Sequence, residues 1–233
     1  MPDKPVALVT GASQGLGHHI AGHLSDSEYE VVGCSRSMPE HPFEAVDYLT
    51  GDVTDEASVR SVIRTIGERY GRLDVVICNA GVASMNPLLL SPRSSASTMF
   101  ETNLIGTMLV AREATRLLRR SDRGRIVTMS SVAVPLMLEG ESLYSASKAA
   151  VEQLTKVMAR EFSTFGITCN CVGPGPIDTD LIAGVSEEKI SALTDRLVGG
   201  KKSTFSDVTN VIDFFLSESS RAITGQIVYL GGV

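Results

Sequence analysis

Tyr144 and Lys148 stand four residues apart in the run Leu143-Tyr144-Ser145-Ala146-Ser147-Lys148. On a helix that spacing puts both side chains on one face, one turn apart. A free tyrosine titrates near ~10, too high for easy proton exchange at neutral pH. A lysine ammonium beside it favours the phenolate and brings that value down. The pair is therefore suited to giving or taking a proton. Ser131 lies 13 residues earlier, at the carboxyl end of an apolar run, where its hydroxyl can hold a substrate oxygen; Ser130 is the neighbouring alternative. Taken singly, a Tyr–Lys pair is commonly a surface contact and a strand-end serine a local hydrogen bond. Their conjunction is what points to chemistry.

A second constellation follows the first apolar run: Thr10-Gly11-Ala12-Ser13-Gln14-Gly15-Leu16-Gly17, with a helical pattern after it. Gly11 permits a tight turn, Gly15 a close backbone approach to a pyrophosphate, and Gly17 close packing of helix on strand. The exposed amides and the positive helix end bind phosphate. The same residues spell GxSxG, a hydrolase nucleophile elbow centred on Ser13. That chemistry needs a later histidine base, yet His18, His19, His23 and His41 all lie within 28 residues of Ser13. Ser145-Ala146-Ser147-Lys148 likewise satisfies SxxK, but the SDN and KTG partners of that signature do not occur.

Asn79-Ala80-Gly81 closes another apolar run, and with the TGxxxGxG turn, Ser131 and the YSASK segment it resembles the short-chain dehydrogenase/reductase family over Val6 to Gly232. Overall pattern and length are similar to the 3-oxoacyl-[acyl-carrier-protein] reductases of that family. The resemblance implies a single-domain, Rossmann-type α/β fold: a doubly wound parallel sheet of about seven strands with helices on both faces. It implies NAD(P) at the carboxyl edge of the strands, and Ser131 rather than Ser130 as the holder of the substrate oxygen. Tyr144 would be the acid when a carbonyl is reduced and the base when an alcohol is oxidised. Lys148 would bond the nicotinamide ribose and, with an oxidised nicotinamide, lower the Tyr144 pKa. Asn103, in Thr102-Asn103-Leu104-Ile105-Gly106, matches the asparagine of a water-mediated proton relay. Gly11, Ser13, Gln14, Gly15, Leu16 and Gly17 would surround the phosphates, and Asp52 and Val53 the adenine. Asn79, Ala80 and Gly81 would pass beneath the adenine ribose, while Pro174, Gly175, Ile177 and Thr179 would meet the nicotinamide, Thr179 at its carboxamide.

Cofactor choice is read about 20 residues beyond the glycine turn. There the chain has Val31-Val32-Gly33-Cys34-Ser35-Arg36-Ser37, with no carboxylate to repel a 2′-phosphate. Arg36 can clamp a phosphate through charge-assisted hydrogen bonds, and Ser35 and Ser37 can add to it. NADP(H) is expected over NAD(H), and hence reduction of a carbonyl, either a ketone or a 3-oxoacyl thioester, with acyl carrier protein as one option for its carrier. The arginines that dock such a carrier are incompletely matched: Phe165 precedes Gly166, and Arg123 and Arg125 are the candidates before the Ser131 strand. Val132–Leu138 is expected to line an apolar pocket wall. Two other readings stand beside this one: an NAD-dependent alcohol or sugar dehydrogenase, and a non-catalytic NADP(H)-binding sensor or scaffold.

The elements that must position these residues alternate regularly. Pro5–Thr10, Tyr29–Ser35, Val46–Leu49, Leu73–Cys78, Arg125–Ser130, Ile167–Val172 and Gln226–Leu230 read as strands covered on both faces. Helices are expected near Gly15–Ser27, Glu56–Tyr70, Ser97–Arg120, Leu143–Phe165 and Ser206–Ser217, and the βαβαβ order implies right-handed crossovers. The irregular segment 178–204 is the place for a substrate lid. The long helices 97–120 and 143–165 resemble those that pair family members into homodimers and homotetramers. The 233 residues suit one domain, and a net charge of −6 argues against nucleic acid or an anionic membrane as the partner. No stretch approaches a membrane span, and the first strand begins by Pro5 with no signal-peptide cleavage pattern, so a cytoplasmic protein is expected. Cys34, Cys78, Cys169 and Cys171 match neither a redox pair nor a zinc site; no metal is expected, and buried reduced thiols are.

Overall fold

The structure is a computed structural model that describes residues 4–179, 182 and 184–233. Short runs rich in Val, Ile and Leu form a seven-stranded sheet: β1 (Val6–Thr10), β2 (Glu30–Ser35), β3 (Val46–Thr50), β4 (Val75–Cys78), β5 (Arg125–Met129), β6 (Thr168–Gly173) and β7 (Ile227–Tyr229). Every pairing is parallel and the order is β3-β2-β1-β4-β5-β6-β7. The order reverses between β1 and β4, and the crevice outside the strand ends at such a switch point is where a ligand binds in a doubly wound sheet.

Helices cover both faces, which is why the strand sequences run apolar without alternation. On one side α2 (Glu56–Tyr70), α4 (Gly106–Leu118) and α6 (Ser142–Glu161) bury Val62, Ile66, Leu109, Leu118 and Met158 against Leu8, Val32, Val76 and Ile126. On the other, α1 (Gly15–Asp26) and α8 (Phe205–Leu216) pack Ile20, Leu24, Ile212 and Phe215 against Val9, Val31, Ile77 and Val127. The Asp55 side chain accepts from the Ala57 N–H to start α2, and Gly71, left-handed at φ 69°, ends it. α8 begins with a reciprocal Thr204–Asp207 capping box. All four cysteines are buried and free, as the apolar runs around them suggest.

The expected helix over 97–120 is three pieces: α3 (Arg93–Met99), a π-helical stretch Phe100–Ile105, and α4. One wider turn carries an extra residue and rotates Asn103 inward, an adjustment that apolar periodicity does not reveal. Two short elements also escape the sequence pattern, α5 (Ala133–Leu136) and α7 (Glu187–Thr194). The α7 helix lies inside the irregular segment 178–204, of which residues 180, 181 and 183 lie outside the described residues.

Candidate active site

The glycine turn is where the backbone of β1 meets that of β4. Gly11 sits at φ 71°, and a Cβ there would lie 2.9 Å from the Ala80 Cα. A Cβ on Gly17 would lie 2.2 Å from the Gly11 carbonyl oxygen and 2.3 Å from the Asn79 amide nitrogen. No side chain fits either position. Asn79 locks the turn, donating through Nδ2 to the Thr10 carbonyl (3.0 Å), while the Asn79 and Ala80 N–H groups donate to the Thr10 hydroxyl (3.1 Å each). These contacts brace the turn against the segment that follows β4. The first turn of α1 has no acidic residue, so no carboxylate of that turn offsets its positive end. The backbone turn that no Cβ could share and this helix end together fit a pyrophosphate.

Ser13 has no histidine to act on it. His18 reaches the Ala12 carbonyl (3.3 Å) and the Tyr48 hydroxyl (3.4 Å) and stacks on Phe43; His19 stacks on Phe205; His23 pairs with Asp213 at 3.0 Å. These are packing roles.

One large cavity runs from the glycine turn across the carboxyl edge of the sheet. Its walls hold Gly11, Ser13, Gln14, Gly15, Leu16 and Gly17, then Ser35, Arg36, Ser37, Asp52 and Val53, then Asn79, Ala80 and Gly81, and finally Ser131, Tyr144, Lys148, Pro174, Gly175, Ile177 and Thr179. At the β2 end, Ser35 donates to the Ser37 carbonyl (2.6 Å), so its hydroxyl shapes the turn, and Arg36 is exposed. Asp52 accepts from the Thr54 N–H (2.9 Å) and hydroxyl (2.8 Å). The Thr54 N–H chiefly holds its carboxyl below the usual range, against burial, with further help from the Thr54 hydroxyl and the Arg36 charge. Across the cavity the 174–179 segment is pinned by Val132 N–H to the Pro174 carbonyl (3.0 Å) and Gly175 N–H to the Ser203 hydroxyl (3.2 Å). It brings Thr179 over Gly15, whose Cβ would be 3.6 Å from the Thr179 methyl.

At the far end, α6 presents Tyr144 and Lys148, both nearly fully buried, to the end of β5. The Ser131 hydroxyl is hydrogen-bonded to the Tyr144 phenol, and Lys148 Nζ lies 5.8 Å above the Tyr144 ring while donating to the Met129 carbonyl (2.9 Å). Burial pushes the phenol up to about 12, relieved in part by Ser131 and reinforced by the Glu141 charge. This is the direction set by desolvation in the cofactor-free chain; the lowering expected above needs the ammonium together with an oxidised nicotinamide. Burial also brings the Lys148 ammonium down to about 8, with Cys171 opposing. The protein alone therefore holds Tyr144 as a protonated acid.

Asn103 is 1% exposed and does not line the cavity. It accepts from the Val82 N–H (2.8 Å) and donates to the Val82 carbonyl (2.9 Å) and the Ser147 hydroxyl (3.0 Å). It ties the segment following β4 to α6. Gly81 stands between: a Cβ on it would be 3.3 Å from Asn103 Oδ1 and 3.4 Å from Lys148 Nζ.

Two expectations about the substrate side need correcting. Arg123 and Arg125 lie at the amino end of β5; Arg125 is buried and donates to the Gly124 carbonyl, and Arg123 pairs with Asp122 and Glu218. Ser131 is six residues further on, ~20 Å away along an extended strand, so these arginines cannot flank the same chain's pocket mouth. Of Val132–Leu138, Val132 and Leu138 line the cavity, whereas α5 turns Leu136 into a cluster with Leu197 and leaves Met137 outside. Residues with no sequence signal of their own add to the wall, among them apolar Val82, Ala83, Met85, Ile182, Val185 and Leu193 and charged Glu101, Glu139, Glu141, Lys189 and Arg196. Glu141 precedes Tyr144 by one helical turn and burial raises its carboxyl pKa. Among the described residues no group of three His, Cys, Asp or Glu could hold a metal, and no helix is long and apolar enough to cross a membrane.

This fold is a doubly wound, Rossmann-like α/β fold with its cavity at the carboxyl edge of the sheet, and comparison with known proteins is specific. A family model described as enoyl-(acyl carrier protein) reductase matches residues 11–232. The chain is 32% identical over 235 residues to the 3-oxoacyl-[acyl-carrier-protein] reductase FabG of Escherichia coli, covering 97% of this chain and 96% of that one. It is 31% identical over 236 residues to FabG of Staphylococcus aureus, with the same coverage. The ligand-free aldohexose dehydrogenase AldT of Thermoplasma acidophilum superposes with a TM-score of 0.90 at 29% identity, over 98% of this chain and 93% of that one. The chain belongs to the short-chain dehydrogenase/reductase family of oxidoreductases.

Proposed function

We propose that the protein is an NADP(H)-dependent reductase of a carbonyl group, with Tyr144 as general acid. The observation that carries this is the convergence of Ser131, Tyr144 and Lys148 on one wall of the cavity whose other end is the glycine turn. Bound NADPH supplies the hydride. The chain's own residues do the rest. The Ser131 hydroxyl, already bonded to Tyr144, donates to the substrate oxygen and fixes it beside the phenol. Tyr144 gives that oxygen its proton, a role favoured by a phenol that burial keeps protonated. Lys148 lies behind the ring, where its ammonium stabilises the phenolate left behind and can reach the ribose hydroxyls. Asn103 holds the Val82 backbone and Ser147 in register around this centre. Gly11 to Gly17 would hold the phosphates, Asp52 and Val53 the adenine, Asn79 to Gly81 the floor beneath the adenine ribose, and Pro174 to Thr179 the nicotinamide.

Arg36 and Ser37 line the cavity at the end of β2, and 35–37 contain no carboxylate, which supports NADP(H) over NAD(H). Ile182, Val185, Lys189 and Leu193 line the cavity, which supports segment 178–204 as the substrate lid. Val82, Ala83, Met85 and Leu193 suit the apolar chain of a 3-oxoacyl thioester, and the FabG relatives are named for that chemistry on acyl carrier protein. An aldose or polyol is the second reading, favoured by the Glu141 carboxyl on the same wall and by the AldT likeness. The assembled Ser131–Tyr144–Lys148 centre weighs against a non-catalytic sensor. The apolar residues Val157 on α6 and Phe165 just beyond it remain exposed, which supports burial between copies in a homotetramer, or failing that a homodimer. The deciding experiment follows NADPH absorbance with a panel of 3-oxoacyl thioesters, ketones, quinones and aldoses. Reduction of at least one member is expected, and reduction of none would overturn the reading.

A further inference from the structure

Helix α6 and strand β5 are joined by a ladder of polar contacts that runs past the centre just described. Read backward along β5 and forward along α6, the Tyr144 phenol meets the Ser131 hydroxyl, Lys148 meets the Met129 carbonyl, and Thr155 meets the Thr128 hydroxyl at 2.7 Å. Between Lys148 and Thr155 comes Glu152, 7% exposed, on the same helical face. A carboxylate so placed is costly unless hydrogen-bonded. Its Oε1 accepts two hydroxyls, that of Ser130, in a short bond, and that of Tyr229 at 2.6 Å. Tyr229 comes from β7, on the far side of β6. Its ring occupies the space over Gly173, where a Cβ would lie 2.4 Å from the ring, and packs with Val132 and Leu197 at the substrate side. Ser130 is also held through its backbone, N–H to the Val172 carbonyl at 2.7 Å. The proton-transfer scheme above uses neither Glu152 nor Tyr229.

We infer that Glu152, itself oriented by the Tyr229 hydroxyl, is a positioning residue that fixes Ser130 and thereby sets where Ser131 presents its hydroxyl to the substrate oxygen. The two serines are consecutive, so freeing the Ser130 side chain loosens the peptide that carries Ser131. Glu152 touches neither substrate nor cofactor. This inference rests on the carbonyl-reductase reading, and it predicts a kinetic pattern that a purely structural role would not give.

The test compares Glu152→Leu, Glu152→Gln and Ser130→Ala with wild type, using NADPH and the best carbonyl of the panel. Leucine keeps the volume and removes the acceptor, and kcat should fall at least ~10-fold with NADPH Kd, read by fluorescence, within ~3-fold. Glutamine keeps an acceptor oxygen for both hydroxyls and should recover most of the loss. In a Ser131→Ala background, Glu152→Leu should cost no further factor, because both changes act through one hydroxyl. Ser130→Ala removes the hydroxyl that Glu152 holds and should lower kcat at least ~5-fold, with no further loss when Glu152→Leu is added, which keeps the test decisive. Wild-type kcat in Ser130→Ala, or an undiminished Glu152→Leu effect in the Ser131→Ala background, would overturn the inference. A wild type that reduces nothing in the panel would overturn the reductase reading and this inference with it.

Discussion

Replacing Lys148 by methionine should stabilise the fold while destroying its activity. Burial takes the lysine from its ordinary 10.5 down to about 8. Each tenfold step corresponds to ~1.4 kcal/mol, so keeping the ammonium charged inside the fold costs ~3 kcal/mol at neutral pH. One hydrogen bond opposes this, from Nζ to the Met129 carbonyl at 2.9 Å, with a net value of about 1 kcal/mol. Methionine has a similar length, no charge and adaptable packing. The balance favours the variant by about 2 kcal/mol, a rise of ~4–8 °C in Tm for a chain of this size. The gain carries a pH signature. Below about 8 the lysine is charged in both folded and unfolded chains, and the wild type bears the whole penalty. Between about 8 and 10.5 the folded chain has released a proton that the unfolded chain still holds. Wild-type stability therefore rises with pH across that window, and the variant's advantage shrinks. Calorimetry of both cofactor-free proteins at neutral pH and near ~10 measures it. A Tm that falls on substitution, or an advantage that does not change with pH, would refute the reasoning. In the same variant turnover and NADPH affinity should fall together.

Arg36→Ala should weaken NADPH by at least ~10-fold in kcat/KM and leave NADH within ~2-fold, because its guanidinium lies at the cavity edge where a 2′-phosphate would sit; equal loss with both cofactors would show that Arg36 only stacks on adenine. Light scattering at micromolar concentration should give the mass of a homotetramer, or failing that a homodimer, and a monomeric mass would refute burial of the outer α4 and α6 faces.

Much of this molecule was legible before its geometry was known. The continuous Val/Ile/Leu runs announced a sheet covered on both sides, and all seven expected strands appear within a few residues of their places. The glycine turn, Asn79, Ser131, Tyr144 and Lys148 are far apart in sequence, yet parallel strands and α6 bring them to the same sheet edge. What stayed hidden depends on depth, direction or distance. The phenol of Tyr144 rises because it is buried, which its spacing from Lys148 does not record. Arg123 and Arg125 looked adjacent to Ser131, but they sit at the other end of the strand. The π turn around Asn103 breaks a helix whose apolar pattern continues through it. Tyr229 reaches Glu152 across 77 positions. One signal for that contact was present: Tyr144, Lys148, Glu152 and Thr155 put polar groups, turn after turn, on the helix face that meets the sheet.

The most direct measurement of the central claim is NADPH turnover by Tyr144→Phe with the best carbonyl of the panel, alongside NADPH Kd. Phenylalanine keeps the ring under Lys148 and removes only the hydroxyl that meets Ser131. With Tyr144 as the proton donor, kcat should fall by ~10²–10⁴-fold while Kd stays within a few-fold. A variant that retains most of the wild-type kcat would contradict the account.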